Sequence, residues 1–160
     1  MAEALVAREA LADVLAALSR VRTLRFEARS QAGTGWDGVG TGEVRVSSPQ
    51  PGVVLFEEAG VWQAERPGAA GVAFRNVFRW TAVGERLRLE HLRQGPDHPV
   101  FLFDLAWAGE GSWHTVQPHL CAADVYAAQL HCEADAISVA WTIRGPRKDE
   151  AIRYRYGAAT

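Results

Sequence analysis

Val21-Arg22-Thr23-Leu24-Arg25-Phe26-Glu27-Ala28-Arg29-Ser30 is the stretch whose reading decides the fold. From Thr23 onward, Leu24, Phe26 and Ala28 alternate with Arg25, Glu27 and Arg29. A period of two belongs to a half-buried strand. On the N-terminal side the period is that of a helix. Residues 2–19 place Leu11, Val14, Leu15 and Leu18 at i, i+3, i+4 and i+7, in an Ala-rich run without Gly or Pro. This helix reads as a cap on the end of a sheet or barrel, with partner binding as the alternative.

On the C-terminal side the strand pattern recurs. Further strand candidates lie at about 39–47, 53–58, 72–82, 85–93, 100–106, 112–117, 124–132, 136–144 and 150–156. Turn residues separate them: Pro49, Pro51 and Gly52; Pro67-Gly68; Gly84; Gly95-Pro96; Gly109 and Gly111; Pro118; Gly145-Pro146. Many short strands at this spacing indicate a sandwich or a barrel. No second long helix intervenes, which argues against a parallel βαβ sheet. One domain over 1–160 is the simplest organisation, with the helix at 2–19 and the sheet at about 22–157. Closing the sheet would remove its edges. A barrel of this size is either filled by side chains or open to one small ligand.

Composition narrows the function classes. The chain is 48% hydrophobic and 22% charged, ordinary for a folded protein with its own core. Its net charge is −2 and its pI about 6.2, so no basic field draws a nucleic acid. Lys148 is the one lysine among the seventeen basic residues, and the arginine excess reads as compositional drift. Cys121 and Cys132 form no CxxC or zinc-finger spacing and read as reduced thiols of a cytoplasmic protein. No run is apolar enough to span a membrane, and Glu3, Arg8, Glu9 and Asp13 break any secretory leader.

Gly33-Thr34-Gly35-Trp36-Asp37-Gly38 matches G-x-G-x-x-G. A dinucleotide fingerprint requires a helix to start there. Instead Gly38-Val39-Gly40-Thr41-Gly42 follows, which reads as a hairpin leading into a Gly-rich, sharply bent strand. No nucleophile elbow, phosphate-binding loop or H-E-x-x-H is present.

Two stretches concentrate polar chemistry. In His119-Leu120-Cys121-Ala122-Ala123-Asp124-Val125-Tyr126, an extended chain sets His119 and Cys121 on one side and pairs Asp124 with Tyr126. The cluster can line a barrel mouth or hold a metal. The simpler reading makes Asp124 a turn cap and lets His119 and Tyr126 satisfy each other or the backbone. In Trp141-Thr142-Ile143-Arg144-Gly145-Pro146-Arg147-Lys148-Asp149, an apolar face ends in a charged turn. Lys148 could pair with a carboxylate or phosphate, or simply be solvated. Arg75, Arg79, Arg153 and Arg155 alternate with aromatic residues and should point outward. Glu58 shares the inward parity of Val54 and Phe56, and a buried carboxylate needs a partner, expected to be an inward arginine or His119.

These motifs carry a resemblance. Phe56-x-Glu58-x-Gly60, Phe78-x-Trp80, His119-x-Cys121-x-x-Asp124-x-Tyr126 and Trp141-x-x-x-Gly145-Pro146-x-Lys148-Asp149 occur in the order found in a family of small bacterial and fungal proteins of unknown function. That family is similar to the lipocalin-like (calycin) barrels. The resemblance covers roughly 36–157 and implies a mostly β fold, a single antiparallel calycin-like β-barrel with an N-terminal α-helix. It implies no activity.

The expected function is a non-enzymatic barrel binding a small, mainly apolar ligand, one that could carry an acidic group. His119, Tyr126 and Trp141 are expected on the wall, with Glu58 and Lys148 nearby. Neither cofactor, resident metal nor catalytic residue is assigned. Neither nucleic acid nor a membrane is expected as partner, and a homodimer is left open. One alternative is an enzyme with His119 as general acid or base, oriented by Asp124 or Glu58. Another is a structural or interaction protein with a filled barrel.

Overall fold

The computed structural model describes residues 1–31, 37–117, 119–121 and 123–158, and for 119–121 the backbone alone. Among the described residues one helix, α1 (Ala2–Ser19), precedes eleven strands. These are β1 (Val21–Ser30), β2 (Gly38–Ser47), β3 (Val53–Ala64), β4 (Val72–Val83), β5 (Arg86–His91) and β6 (Val100–Trp107). They continue with β7 (Ser112–Thr115), β8 (His119–Cys121), β9 (Asp124–Cys132), β10 (Ala136–Gly145) and β11 (Lys148–Ala158). The helix and its bounds agree with the periodicity of the sequence.

The strands pair antiparallel in chain order, and β11 returns to β1. Pairing of β7 with β9, and of β9 with β10, completes the ring, a closed barrel of ten strands. The eleventh, β8, lies outside that ring. It occupies the first part of the β9 edge, and β7 takes the last part. The choice between sandwich and barrel is thus settled by closure.

Antiparallel order puts alternate turns at opposite ends. The α1–β1 junction and the β2–β3, β4–β5, β6–β7 and β9–β10 turns share one end. There α1 lies across the opening and touches β3 and β6. Its Leu11, Val14 and Leu18 are buried with Val21, Val54, Trp80, Leu87, Leu105 and Trp113. Each buried leucine contributes about 1.5–3 kcal/mol relative to exposure, so this end is packed solid. Among the described residues no helix covers the opposite end.

Strand β3 runs six residues beyond the expected 53–58. Within that extension Gly60 faces Gly42 across the β2–β3 ladder. A Cβ on Gly42 would overlap the backbone of Ala59 and Gly60, and one on Gly60 would overlap Thr41 and Gly42. The two backbones therefore approach as closely as only glycine allows, and the ladder runs unbroken through the pair. At Gly40 the obstacle is different: a Cβ would meet the Phe26 ring. Strand β8 was also not expected, being three residues long. Residues 33–36 of the G-x-G-x-x-G match lie outside the described residues, and Gly38 opens a strand rather than a helix.

Gly42→Ala is expected to lower the unfolding free energy by about 2 kcal/mol or more, because backbone must move. Gly40→Ala should cost less, about 1 kcal/mol, because the Phe26 ring can turn aside. Urea unfolding of both variants checks the order, and equal losses would contradict the backbone argument.

Candidate functional site

The open half of the barrel holds a two-lobed cavity. The first lobe, about 330 Å³, is walled by Phe26, Ala28, Trp62, Phe74, Ile152 and Tyr154. The second, about 240 Å³, is walled by Phe78, His91, Leu102, Tyr126, Trp141 and others. Asn76, Ile152 and Tyr154 belong to both, so the lobes adjoin. The barrel is therefore neither filled nor hollow throughout. Among the described residues it is packed beneath the helix and holds the two lobes above.

The walls are a continuous aromatic lattice. Phe26 meets Phe74 edge-on at 5.3 Å and Tyr154 at 5.1 Å between ring centroids. Trp141 stacks on Tyr154 at 5.9 Å and takes the edges of Phe78 and Phe103. His91 stacks on Phe78 at 4.8 Å. Burial, with Arg93 nearby, holds the His91 pKa below the ordinary histidine value, so the ring favours its neutral form. Such pairings fix ring planes and add to the area they bury.

Glu58 is the exception on this inner surface. It is 2% exposed, and the one buried charged side chain among the described residues. The Tyr156 hydroxyl donates to its Oε2 at 2.6 Å. Its Oε1 has no hydrogen-bond partner among the described residues. Burial raises its pKa to about 7, an effect that Tyr156 and then Asn76 partly offset. The tyrosine pair stacked beside it, Tyr154 and Tyr156 at 5.3 Å, is pushed up by burial and by the Glu58 charge.

The inward parity of Glu58 is as the sequence implies, but its partner differs. Among the described residues Tyr156, not an arginine, takes the carboxylate. A buried hydroxyl satisfies one oxygen without bringing a second charge into the core. Trp141 is buried in the second lobe, and Tyr126 lies half-buried on its wall. The backbone of His119 stands opposite Tyr126 in the β8–β9 ladder at the open rim. Its side chain lies outside the described residues, as does that of Cys121.

Lys148 lines neither lobe. It is exposed at the start of β11, with Nζ 3.5 Å from Asp124 Oδ2. Asp124 thus ties the β10–β11 hairpin to β9. Arg75, Arg153 and Arg155 are exposed outside the barrel, as their parity implies, and Arg79 pairs with Glu90 at 3.0 Å. Among the described residues no three His, Cys, Asp or Glu side chains converge as metal ligands would. A larger groove, about 760 Å³, crosses the outer wall of β1–β4. It is lined by charges of both signs, several of them paired or solvated, including Arg45 and Glu57 at 3.5 Å.

Asn76, Tyr154 and Tyr156 were not singled out from the sequence. The signal for Asn76 was available: it shares parity with Phe74 and Phe78 and is a polar residue on an otherwise aromatic face.

Glu58→Gln should change how stability depends on pH. The folded-state pKa lies above the ordinary 4.5, so the folded state holds its proton longer than the unfolded chain does. The wild-type stability attached to this group is complete below about 4.5 and is lost as pH rises through about 7. Relative to Glu58→Gln, the wild type should lose about 3 kcal/mol between pH 4.5 and 8. Chemical unfolding at both pH values measures this, and parallel profiles would show that Glu58 is effectively solvated.

Comparison with known proteins adds three findings. A search of curated proteins gives no match. Among solved structures, a redesigned β-barrel, mFAP1, bound to DFHBI, is similar at 9% identity and a TM-score of 0.46, with 89% of this chain and 97% of that one covered. A model of a family of unknown function, DUF6314, matches residues 22–158, from β1 through β11. The chain belongs to the family of unknown function DUF6314.

Proposed function

We propose that the protein is a non-enzymatic, calycin-like barrel that binds a small, mainly apolar and planar ligand in its open half. The observation that carries this reading is the adjoining pair of aromatic lobes above a solidly packed, helix-covered end. Binding sites are typically concave, largely apolar and furnished with a few polar groups. Here the polar groups are Asn76, the hydroxyl-bearing Tyr126 and Tyr154, His91, and the charged Arg29 and Glu150 of the first lobe. Arg93 at the second lobe would receive an acidic group on the ligand. A site in the cytoplasm suits the reading, since Cys132 is a free thiol whose burial raises its pKa and keeps it protonated. No helix of the described residues is long and apolar enough to cross a membrane.

The enzyme alternative has less support. Glu58, whose pKa burial raises to about 7, is 2% exposed and walls neither aromatic lobe, bordering instead the mixed-charge groove on β1–β4. The filled-barrel alternative fits only the helix end.

Titration with the apolar fluorophore 1-aminoanthracene should give saturable binding with Kd on the order of 10 μM. Ala28→Trp fills the first lobe and should weaken that binding at least about tenfold, with the unfolding midpoint kept or raised. Absence of binding to the wild type, or equal binding to the variant, sinks the proposal. Native mass spectrometry of the purified protein would show a ligand carried over from the cell.

A further inference from the structure

Glu58 and Asn76 are direct partners across the β3–β4 ladder, both on its inner side. Directly opposed side chains in such a ladder stand about 5 Å apart at Cβ. Asn76 walls both lobes, and Glu58 lies behind it with Oε1 buried and without a hydrogen bond. The amide of Asn76 therefore has one end available to the carboxyl and the other to the cavity. An asparagine amide has an acceptor end and a donor end, and rotation about its last torsion exchanges them.

Resting on the cavity being the ligand site, we infer that Glu58 and Asn76 form a polarity switch that sets which hydrogen-bonding group the ligand must carry. With Glu58 charged, its Oε1 accepts from the Asn76 NH₂, and the amide oxygen faces the cavity. The site then selects a ligand bearing an N–H or O–H donor. With Glu58 neutral, its proton sits on Oε1 and is donated to the Asn76 oxygen, so the NH₂ faces the cavity. The site then selects an acceptor, such as a carbonyl or ring nitrogen. Tyr156 donates to Oε2 in both states, because its own proton is held far above the ordinary phenol range. The shift of Glu58 to about 7 places the exchange close to neutrality.

Glu58 and Asn76 also border the outer groove, whose charged residues are Arg22, Glu43, Arg45, Glu57 and Arg75; the groups on the inner side are these. From β11, Tyr154 and Tyr156 face Glu58, and neither ionises near pH 7. From β4 the facing group is Asn76, and from β2 the partner is Val44. His91 titrates on the far side of the second lobe, below the ordinary histidine value.

Three fused-ring probes of similar size test the switch: indole as donor, quinoline as acceptor and naphthalene as neither. Calorimetric titration of the wild type at pH 6 and pH 8.5 should show the indole-to-quinoline preference rising about tenfold with pH, with naphthalene unchanged. Glu58→Gln keeps an acceptor for Tyr156 and a donor for Asn76, so it should hold the acceptor-selecting state at both pH values. A shift that survives in Glu58→Gln belongs to His91 and overturns the inference. Naphthalene failing to bind at all overturns the binding reading itself. A preference independent of pH, with naphthalene bound, overturns only the switch.

Asn76 is the sole asparagine of the chain. Asparagine-selective ¹⁵N labelling of the free protein therefore gives one side-chain NH₂ pair. Its resonances should move with a midpoint near 7. Resonances that stay still between pH 5.5 and 8.5 would rule out the switch without any ligand or variant.

Discussion

The close approach of β2 to β3 at Gly42 and Gly60 is the constraint on which the rest of the structure depends. Ten strands close only if the sheet curls tightly somewhere, and here two facing glycines let it do so. Two neighbouring glycines of β2, Gly38 and Gly40, leave the inner wall without side chains. Phe26 lies over Gly40, and Trp62 occupies the space that a Cβ on Gly38 would need. The rings that wall the first lobe are thus held against bare backbone. The glycine-rich strand thus shapes the wall of the first lobe.

Depth divides the remaining interior. Beneath α1, aliphatic side chains and the buried indoles of Trp80 and Trp113 fill the barrel. Above, aromatic rings line the walls without filling the middle. Glu58 sits near the boundary, among Phe56, Tyr156 and Asn76. A carboxyl there is a cost to folding when charged, and one phenol hydroxyl offsets only part of it.

Much of the fold was legible because period is a local property. Helix bounds, strand alternation and the parity of Glu58 each follow from a few neighbouring residues. What was not legible is long-range. Tyr156 meets Glu58 across 98 positions of sequence, and no local pattern announces such a contact. That β3 continues past residue 58 depends on Gly60 pairing with Gly42, which lies on another strand. Lys148 drew notice as the lone lysine, yet its partner Asp124 holds it outside the cavity. Asn76 passed unremarked because one polar residue in an aromatic strand looks ordinary until its neighbour across the ladder is known.

Closure joins Val21 to Ala158, the beginning of the barrel to its end. A ribosome releases these strands in order, so β1 leaves it long before β11 exists. The helix waits too, since one of the strands it rests on, β6, begins only at Val100. Until the last strand is made, β1 has one bare edge and the helix one bare apolar stripe. Pairings so distant form slowly because the whole intervening loop must be closed first. The nascent chain is therefore exposed to mispairing for most of its synthesis. The charged residues on the outer face of β1, Arg25, Glu27 and Arg29, flank that waiting edge and discourage another strand from taking it.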